Sequence, residues 1–262
     1  MKKLSLIVCV IFLVGCQTIP ISLRRQLSLV PQEQLVSLSE TSYNEILATA
    51  TKSESKSDTK MVVEVGKKIA ASAEHFLSEN GMADEIKHYS WEFNLIEDKQ
   101  VNAFCLPGGK IVVYTGILPV AKDETGLAVV MGHEVAHAIA NHGGERMSQE
   151  LLVQLGANTI AEALNKNPTK AKALLYQVYG VGTQVGVLLP YSRLHETEAD
   201  SIGLTLMAQA GYDPREAPKF WERMNALSKD SGYEFLSTHP APENRITKIT
   251  EELPKALEHY KK

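Results

Sequence analysis

The feature that most constrains this chain is the five-residue segment 133–137, HEVAH, which lies inside an apolar run from Leu127 to Ile139. If that run is a helix, residues four apart lie on the same face, so His133 and His137 can direct both imidazoles at one point. Burying two imidazoles and a carboxylate costs free energy unless something binds them. The segment therefore predicts a metal site inside a folded domain.

The spacing of these residues also indicates the chemistry of the site. Two histidines four apart, with a glutamate after the first, are typical of zinc peptidases. Zinc lowers the pKa of a bound water towards neutrality, and a carboxylate beside it can take the proton. We therefore expect one Zn²⁺ per chain, with His133 and His137 as ligands and Glu134 as the catalytic base.

A catalytic zinc usually has a third protein ligand and one open position. The metzincin pattern, which places a glycine and a third histidine at fixed spacing after His137, is absent. His142 follows five residues later, and we interpret it as the C-terminal residue of the helix, close to the negative end of its dipole. The remaining candidates are Glu196, Glu198 and Asp200, which lie on a later predicted helix.

The rest of the chain predicts a mostly helical α+β domain. Asp123 is expected to cap the helix that carries HEVAH. Three segments rich in aromatic and β-branched residues, 89–96, 102–106 and 110–115, predict strands, and their short connections predict a small antiparallel sheet. Hydrophobic spacing and capping residues predict the other helices at 60–79, 147–165, 168–180, 195–210, 214–227 and 242–260.

The N-terminus has the features of a targeting segment. Lys2 and Lys3 precede an apolar stretch that is too short to span a bilayer, and the sequence LVGC at 13–16 resembles the lipobox of bacterial lipoproteins. The resemblance implies a signal peptide at 1–15 and a lipid on Cys16. Residues 16–58 would then be a polar tether with a weak helix at 40–49, and residues 59–262 the peptidase domain. Gln17, the residue after the lipidated cysteine, favours a protein anchored in the outer membrane and facing the periplasm.

Cysteine content and charge exclude two further features. If Cys9 leaves with the signal peptide and Cys16 is acylated, only Cys105 remains, so no internal disulfide is expected. Cys105 lies in an apolar segment and is expected to be a small buried residue. The formal net charge of −4 gives no basic surface for nucleic acid.

Several motifs together resemble one family. HEVAH is followed by ETEAD at 196–200, and this pair resembles the HtpX-like and CAAX-endopeptidase group of gluzincin metallopeptidases. Further matching motifs are NAF at 102–104, PGG at 107–109, SR at 192–193, THP at 238–240 and Arg245. The motifs cover roughly residues 60 to 250 in the same order as in the family. The lipobox resembles that of the family's periplasmic lipoprotein branch.

The resemblance implies a zincin-like domain in which the sheet lies beside the zinc helix. It implies that Glu196 is the third zinc ligand and that Asp200, one turn later, orients a ligating histidine. Arg193 either stabilises the oxyanion or pairs with Asp200, and we favour the pairing. For His239 we favour a place near the zinc over a structural hydrogen bond in a loop. Near the zinc two roles stay open: it stabilises the oxyanion, or it binds zinc as a fourth ligand and keeps the enzyme latent.

The strand that contains Asn102, Ala103 and Phe104 is expected to form the edge of the substrate cleft. An extended peptide can add to such an edge through backbone hydrogen bonds, which read conformation more than sequence. The expected partners are therefore unfolded or misassembled envelope polypeptides, together with a membrane that holds the lipid on Cys16. Two alternatives stay open: a zinc-binding chaperone or assembly factor with little or latent proteolysis, and a lipoprotein scaffold with a closed, four-ligand zinc.

Overall fold

A computed structural model of the chain describes residues 16–18, 24–155, 168–179, 192–227, 235, 238–240 and 244–261. The chain forms the α+β, mostly helical fold that the sequence predicts. The strands and helices are, in order, β1 (Cys16–Thr18), β2 (Arg25–Leu27), α1 (Gln32–Thr49), α2 (Lys56–Glu79), β3 (Glu92–Ile96), β4 (Ala103–Leu106), β5 (Lys110–Tyr114), α3 (Leu118–Ala121), α4 (Glu124–Ile139), α5 (His142–Leu155), α6 (Pro168–Tyr179), α7 (Arg193–Gln209), α8 (Glu216–Leu227) and α9 (Arg245–His259).

The three-stranded sheet is mixed, so the predicted antiparallel sheet is wrong. Its order is β3-β5-β4, with β3 parallel to β5 and β4 antiparallel to it. The connection between β3 and β4 crosses the end of β5, where the Asp98 amide donates to Thr115 Oγ1 and the Gly116 amide donates to the Asp98 carbonyl. Such a connection needs to cover only two inter-strand spacings, about 9.5 Å, so β5 can insert between the two earlier strands.

Both faces of this sheet are buried along β4 and β5, and the period of two along β5 assigns its side chains to different cores. Ile111 and Val113 join the hydrophobic cluster that includes α2, α4 and α7. Val112 and Tyr114 join a second cluster, formed with α1, α5 and α6. The sheet therefore fixes α4, which carries HEVAH, against one face, while the N-terminal helix covers the other.

The N-terminal region contributes more structure than its polar composition predicts. Helix α1 begins at Gln32, eight residues before the predicted weak helix. Its Leu35 and Tyr43 are fully buried, and the Tyr43 hydroxyl accepts a hydrogen bond of 2.6 Å from the Asn94 side chain. Residues from Arg25 onwards therefore pack on the domain, and α2 also begins earlier than predicted, after its Ser55 cap.

Helix α4 begins as predicted and ends differently. Asp123 accepts hydrogen bonds from the Thr125 and Gly126 amides and so caps the helix. The helix ends at Ile139, and Asn141 takes the left-handed backbone conformation with φ of 51°, which asparagine tolerates better than most residues. His142 then opens α5. Its predicted place as the C-terminal residue of the zinc helix is wrong, because the chain turns at Asn141.

Helices α4 and α7 pack closely through two glycines. A Cβ on Gly203 would lie 3.0 Å from the His133 backbone nitrogen, and a Cβ on Gly132 would lie 3.0 Å from the Gly203 carbonyl oxygen. Neither glycine leaves room for a larger residue without movement. This close approach places the first turns of α7 beside HEVAH.

The predicted signal peptide and one apolar segment lie wholly or largely outside the described residues. Residues 1–15, the predicted signal peptide, lie outside the described residues. Of the apolar segment 178–189, only Val178 and Tyr179 are described, and both are buried at the end of α6. Among the described helices, none combines the length and apolar character needed to cross a bilayer.

Candidate metal centre

Four side chains from three parts of the chain meet in the interior. His133 and His137 come from α4, Glu196 comes from the first turn of α7, and His239 comes from the segment before α9. One ligand atom of each lies within 4.8 Å of the ligand atoms of the other three, and all four residues are buried. This set contains the three predicted ligands and the residue for which two roles were open.

The spacing of these atoms fits a zinc ion. His133 Nε2 lies 3.4 Å from Glu196 Oε2 and 3.3 Å from His239 Nδ1, and His137 Nε2 lies 3.3 Å from Glu196 Oε1. The two Nε2 atoms of His133 and His137 are 3.0 Å apart. Four ligands with zinc bonds of about 2.0–2.1 Å form a tetrahedron whose edges are about 3.3–3.4 Å. The donor set therefore has both the chemistry and the dimensions of a zinc site.

Two buried carboxylate oxygens support the same assignment. Glu134 Oε1 and Glu196 Oε2 accept no hydrogen bond from the described part of the chain. Buried polar atoms in folded proteins almost always have a partner, because an unpaired one costs free energy. The nearest basic groups, Arg245 Nη1 at 3.3 Å from Glu196 Oε2 and His239 Nε2 at 3.4 Å from Glu134 Oε1, form ion-pair contacts without a hydrogen bond. A metal ion and its bound water would supply the missing hydrogen-bond or ligand partners.

The electrostatic environment sets the charge of the ligands. Burial would raise the pKa of Glu196, but His239 and His133 outweigh it and hold the pKa well below its usual range. Burial lowers the pKa of His137 well below its usual value. Burial would also lower the pKa of His133, but Glu196 and the hydrogen bond to Asp200 raise it to about 9. Zinc binding is therefore expected to displace a proton from His133.

Glu134 has the position expected of a base beside the metal. It is the residue after the first ligand, it is buried, and its Oε1 lies 3.4 Å from His239 Nε2. Burial raises the pKa of Glu134, which brings the carboxylate closer to the range in which it can take and return a proton. It does not belong to the group of four ligand atoms.

Asp200 supports His133, as the family resemblance implies. Its Oδ1 accepts from His133 Nδ1 at 3.0 Å, which leaves the Nε2 lone pair of that ring for the metal. The same oxygen lies 2.7 Å from Nη2 of Arg245. Arg193, the predicted partner of Asp200, is exposed at the start of α7, so that prediction is wrong. Arg193 lies two turns before Asp200, and helical side chains lean towards the N-terminus, away from it.

Arg245 is the residue that the reasoning from sequence did not place. It is buried, and its guanidinium lies 3.3 Å from Glu196 Oε2 and stacks 3.2 Å above the Trp221 ring. Its Nη2 also lies 3.3 Å from Nδ1 and 3.4 Å from Nε2 of His133, so Arg245 contacts two zinc ligands and the carboxylate that orients one of them. The signal in the sequence was its place among the family motifs. Nothing local linked it to Asp200, which is 45 residues away.

His142 also belongs to the surroundings of the site. Its Nδ1 lies 2.9 Å from His137 Nδ1, and its Nε2 lies 3.1 Å from Glu198 Oε2. Burial lowers the pKa of His142 to about 4, so the ring is neutral and the predicted interaction of a charged imidazole with the helix dipole does not apply. Glu198, one of the three candidate third ligands, contacts this histidine instead of joining the ligand group.

The predicted cleft strand lies beside the zinc helix. β4 begins at Ala103 and is an edge strand of the sheet, and it packs against α4. Asn102, Ala103 and Phe104 are all buried in this structure, and the Asn102 side chain accepts from the Ala103 amide at 2.9 Å. Cys105 is buried as predicted, and burial raises the pKa of its thiol well above the usual value.

Comparison with known proteins identifies the family. The sequence profile of peptidase family M48 matches residues 66–253, which is more than two thirds of the chain. The chain belongs to peptidase family M48. Among its relatives, the mitochondrial metalloendopeptidase OMA1 of Schizosaccharomyces pombe is 44% identical over 179 residues, covering 68% of this chain and 50% of that protein. The human OMA1 metalloendopeptidase is 32% identical to this chain, and the match covers 98% of this chain and 49% of the human protein.

A bacterial relative matches a smaller part of the chain. The β-barrel assembly-enhancing protease of Escherichia coli is 30% identical over 60% of this chain and 33% of its own length. This chain spans about half the length, or less, of the curated relatives it matches. These findings confirm the resemblance to gluzincin metallopeptidases and the use of zinc.

The comparison corrects the predicted location. The N-terminal motif predicted an outer membrane, with the protein facing the periplasm. That prediction is wrong, because relatives from three organisms that are 44%, 37% and 40% identical to this chain are mitochondrial metalloendopeptidases.

Proposed function

We propose that this chain is a zinc endopeptidase that hydrolyses internal peptide bonds of unfolded or misassembled polypeptides. The observation that carries the proposal is the position of Glu134, a buried carboxylate that follows the ligand His133 on α4 and whose Oε1 accepts no hydrogen bond from the described residues. The ligands of the site are of the kind found in catalytic zinc sites. A structural zinc has no use for such a carboxylate. Membership of peptidase family M48 supports the same reaction class.

The residues of the chain divide the chemistry among them. Zinc held by His133, His137 and Glu196 would polarise the scissile carbonyl and lower the pKa of a water in the site. Glu134 would take a proton from that water as the water oxygen attacks the carbonyl carbon, and it would give the proton to the amine that leaves, so that the carboxylate is regenerated. Asp200 keeps the Nε2 lone pair of His133 directed into the site. Arg245 neutralises Asp200 and Glu196, which limits the repulsion between two buried carboxylates.

The proposed substrate class follows from the edge strand. β4 is an edge of the sheet and contacts the zinc helix, so an extended peptide paired with it would pass the metal. Recognition through backbone hydrogen bonds favours chains that have lost their fold. We also propose a lipid on Cys16, which would hold the site close to a membrane. Mass spectrometry of the purified chain would detect the acyl groups, and Cys16→Ser should lack them.

The geometry of His239 favours a latent resting state. Its Nδ1 lies 3.0 Å from Glu196 Oε1 and 3.3 Å from His133 Nε2, which is the position of a fourth ligand. Its Nε2 lies on the side of Glu134. A fourth protein ligand would exclude the catalytic water, so we propose that substrate displaces His239 before cleavage. A zinc site closed by four protein ligands would also agree with the scaffold alternative. Glu134 distinguishes a latent peptidase from a scaffold, because only the peptidase needs this carboxylate.

The first experiment tests the reaction. The full chain is purified, loaded with zinc and given casein as an unfolded substrate, and Glu134→Gln is compared with Glu124→Gln. Glu124 is an exposed residue at the start of the same helix and is the matched control. We expect cleavage by the wild type and the control, at least 100-fold less by Glu134→Gln, and one bound zinc in all three. Cleavage by Glu134→Gln would contradict the mechanism.

The second experiment tests latency. His239→Ala should still bind zinc through three ligands and should cleave casein faster than the wild type, because the fourth position is open. A lower rate with zinc retained would instead assign His239 to stabilisation of the oxyanion. If neither protein cleaves although both bind zinc, the chaperone or scaffold alternative is favoured.

A further inference from the structure

The zinc ligand His137 makes an unusual contact on the side away from the metal site. Its Nε2 faces Glu196 and His133, while its Nδ1 lies 2.9 Å from Nδ1 of His142. Metal-binding histidines usually donate their second nitrogen to a carboxylate or a carbonyl. Here the partner is another imidazole, and a carboxylate follows one step further out, at Glu198.

The chemistry of the three groups fixes the direction of both hydrogen bonds. The Glu198 carboxylate can only accept, so Nε2 of His142 donates to it. In a neutral imidazole the other nitrogen is then an acceptor, so Nδ1 of His142 accepts from Nδ1 of His137. His137 therefore carries its proton on Nδ1, and its Nε2 lone pair is free for the metal. The carboxylate thus sets the tautomer of a ligand that it does not touch.

Neighbouring side chains hold His142 and Glu198 in place. The His142 ring stacks on His195, with centroids 4.5 Å apart and planes inclined by 18°. His195 Nε2 lies 3.0 Å from Glu145, so two histidine–glutamate pairs lie side by side. Arg24 joins the two pairs, because its guanidinium lies 3.1 Å from Glu198 and 2.7 Å from Glu145. All these side chains are buried or nearly so, which restricts their rotation.

We propose that His142 is a positioning residue that orients His137 for zinc, and that Glu198 fixes the tautomer of both rings. The proposal rests on the zinc site of the proposed function and not on peptide cleavage. It differs from a purely structural role for a buried histidine, because it requires an acceptor facing His137 and a donor facing Glu198. A glutamine can offer both groups, whereas a phenylalanine of similar volume offers neither.

The test measures zinc affinity by competition with a chelator, using the full chain without substrate. His142→Phe should bind zinc roughly 10–100-fold more weakly than the wild type, the usual cost of losing such a partner. His142→Gln should recover most of that loss. His75→Phe is the matched control, because His75 is exposed on α2 and pairs with Glu79 one turn later on the same helix. Equal zinc affinity for His142→Phe and wild type would overturn the proposal, and so would equal losses in the two His142 variants.

A second variant keeps the test decisive if His142→Phe fails to fold. Glu198→Ala leaves both rings in place and removes the group that sets the tautomer, so it should weaken zinc binding by roughly tenfold. The d–d absorption bands of the Co²⁺-substituted protein should also shift, which reports a changed ligand geometry. Unchanged affinity and spectrum would refute the role of Glu198. A chain that binds zinc as expected but cleaves nothing would contradict the proposed function and leave this inference standing.

Discussion

The close contact between α4 and α7 makes the zinc site sensitive to one methyl group. In Gly203→Ala the new Cβ would lie 3.0 Å from the His133 nitrogen and 3.1 Å from the Gly132 carbonyl carbon. Ordinary contacts begin near 3.4 Å. Since the contact is with backbone, the two helices must separate by about 0.4 Å at this point.

The expected effect on stability is small, because two contributions oppose each other. Overpacking costs about 1–3 kcal/mol, and replacing glycine by alanine within a helix contributes about 1 kcal/mol in its favour. The free energy of unfolding of the metal-free protein should therefore fall by about 0–2 kcal/mol. For a chain of this size that corresponds to a decrease in Tm of at most about 8 °C.

The expected effect on zinc binding is larger. Glu196 is on α7 and the two ligand histidines are on α4, so the separation acts directly on their distances. Zinc sites tolerate about 0.2 Å in bond length, and the shift is about twice that. We expect zinc affinity to fall by about tenfold or more in chelator competition, while thermal unfolding in EDTA changes little.

The matched control for this prediction is Ser201→Ala, which also introduces alanine on α7 but at a half-buried position facing Glu252. It should leave zinc affinity unchanged. If Gly203→Ala lowers the stability of the metal-free protein yet binds zinc like the wild type, the spacing of the two helices does not set the site and the reasoning is wrong.

Three further predictions concern buried charges. Arg245→Met should lower the free energy of unfolding by about 3–5 kcal/mol in urea denaturation, because it removes the guanidinium that lies against two buried carboxylates, Asp200 and Glu196; a loss below 1 kcal/mol would contradict this. Burial would raise the pKa of Glu145, but His195 and Arg24 lower it to about 2, so its stabilisation is present above its usual pKa of 4.5 and is lost as pH falls from there towards 2. Arg24→Met should therefore move acid unfolding, followed by circular dichroism, to higher pH, and an unchanged midpoint would argue against the ion pair. Since the pKa of His133 is about 9, zinc binding at pH 7.5 should release close to one proton in calorimetry with two buffers, and no release would mean that His133 is already neutral.

The parts of the site that depend on helical spacing could be predicted from sequence. His133, Glu134 and His137 are related by the geometry of one helix, and their burial follows from the apolar residues around them. The cap at Asp123 is equally local. The position of Glu196 beside them is a long-range contact, and it became predictable only through the family motif at 196–200.

The errors share one physical cause, which is that short-range rules do not fix the direction of the chain between elements. The antiparallel sheet was inferred from short connections, yet the connection after β3 was long enough to pass over the end of β5. The pairing of Asp200 with Arg193 assumed that neighbours in sequence interact. The buried partner of Asp200 is Arg245, which lies at the start of α9 and stacks on Trp221.

The three acidic residues of the motif at 196–200 show how structure resolved alternatives that sequence left open. Glu196, Glu198 and Asp200 were competing candidates for one zinc ligand, and the structure gives each a different task. Glu196 joins the ligand group, and Asp200 accepts a hydrogen bond from His133. Glu198 lies on another face of α7, because residues two apart in a helix are about 200° apart around its axis. From that face Glu198 contacts His142. His142 lies within its reach because the chain turns at Asn141, between α4 and α5. One turn and a half of helix thus supplies a ligand and supports both ligand histidines, so substitutions here should change zinc affinity before they change the fold.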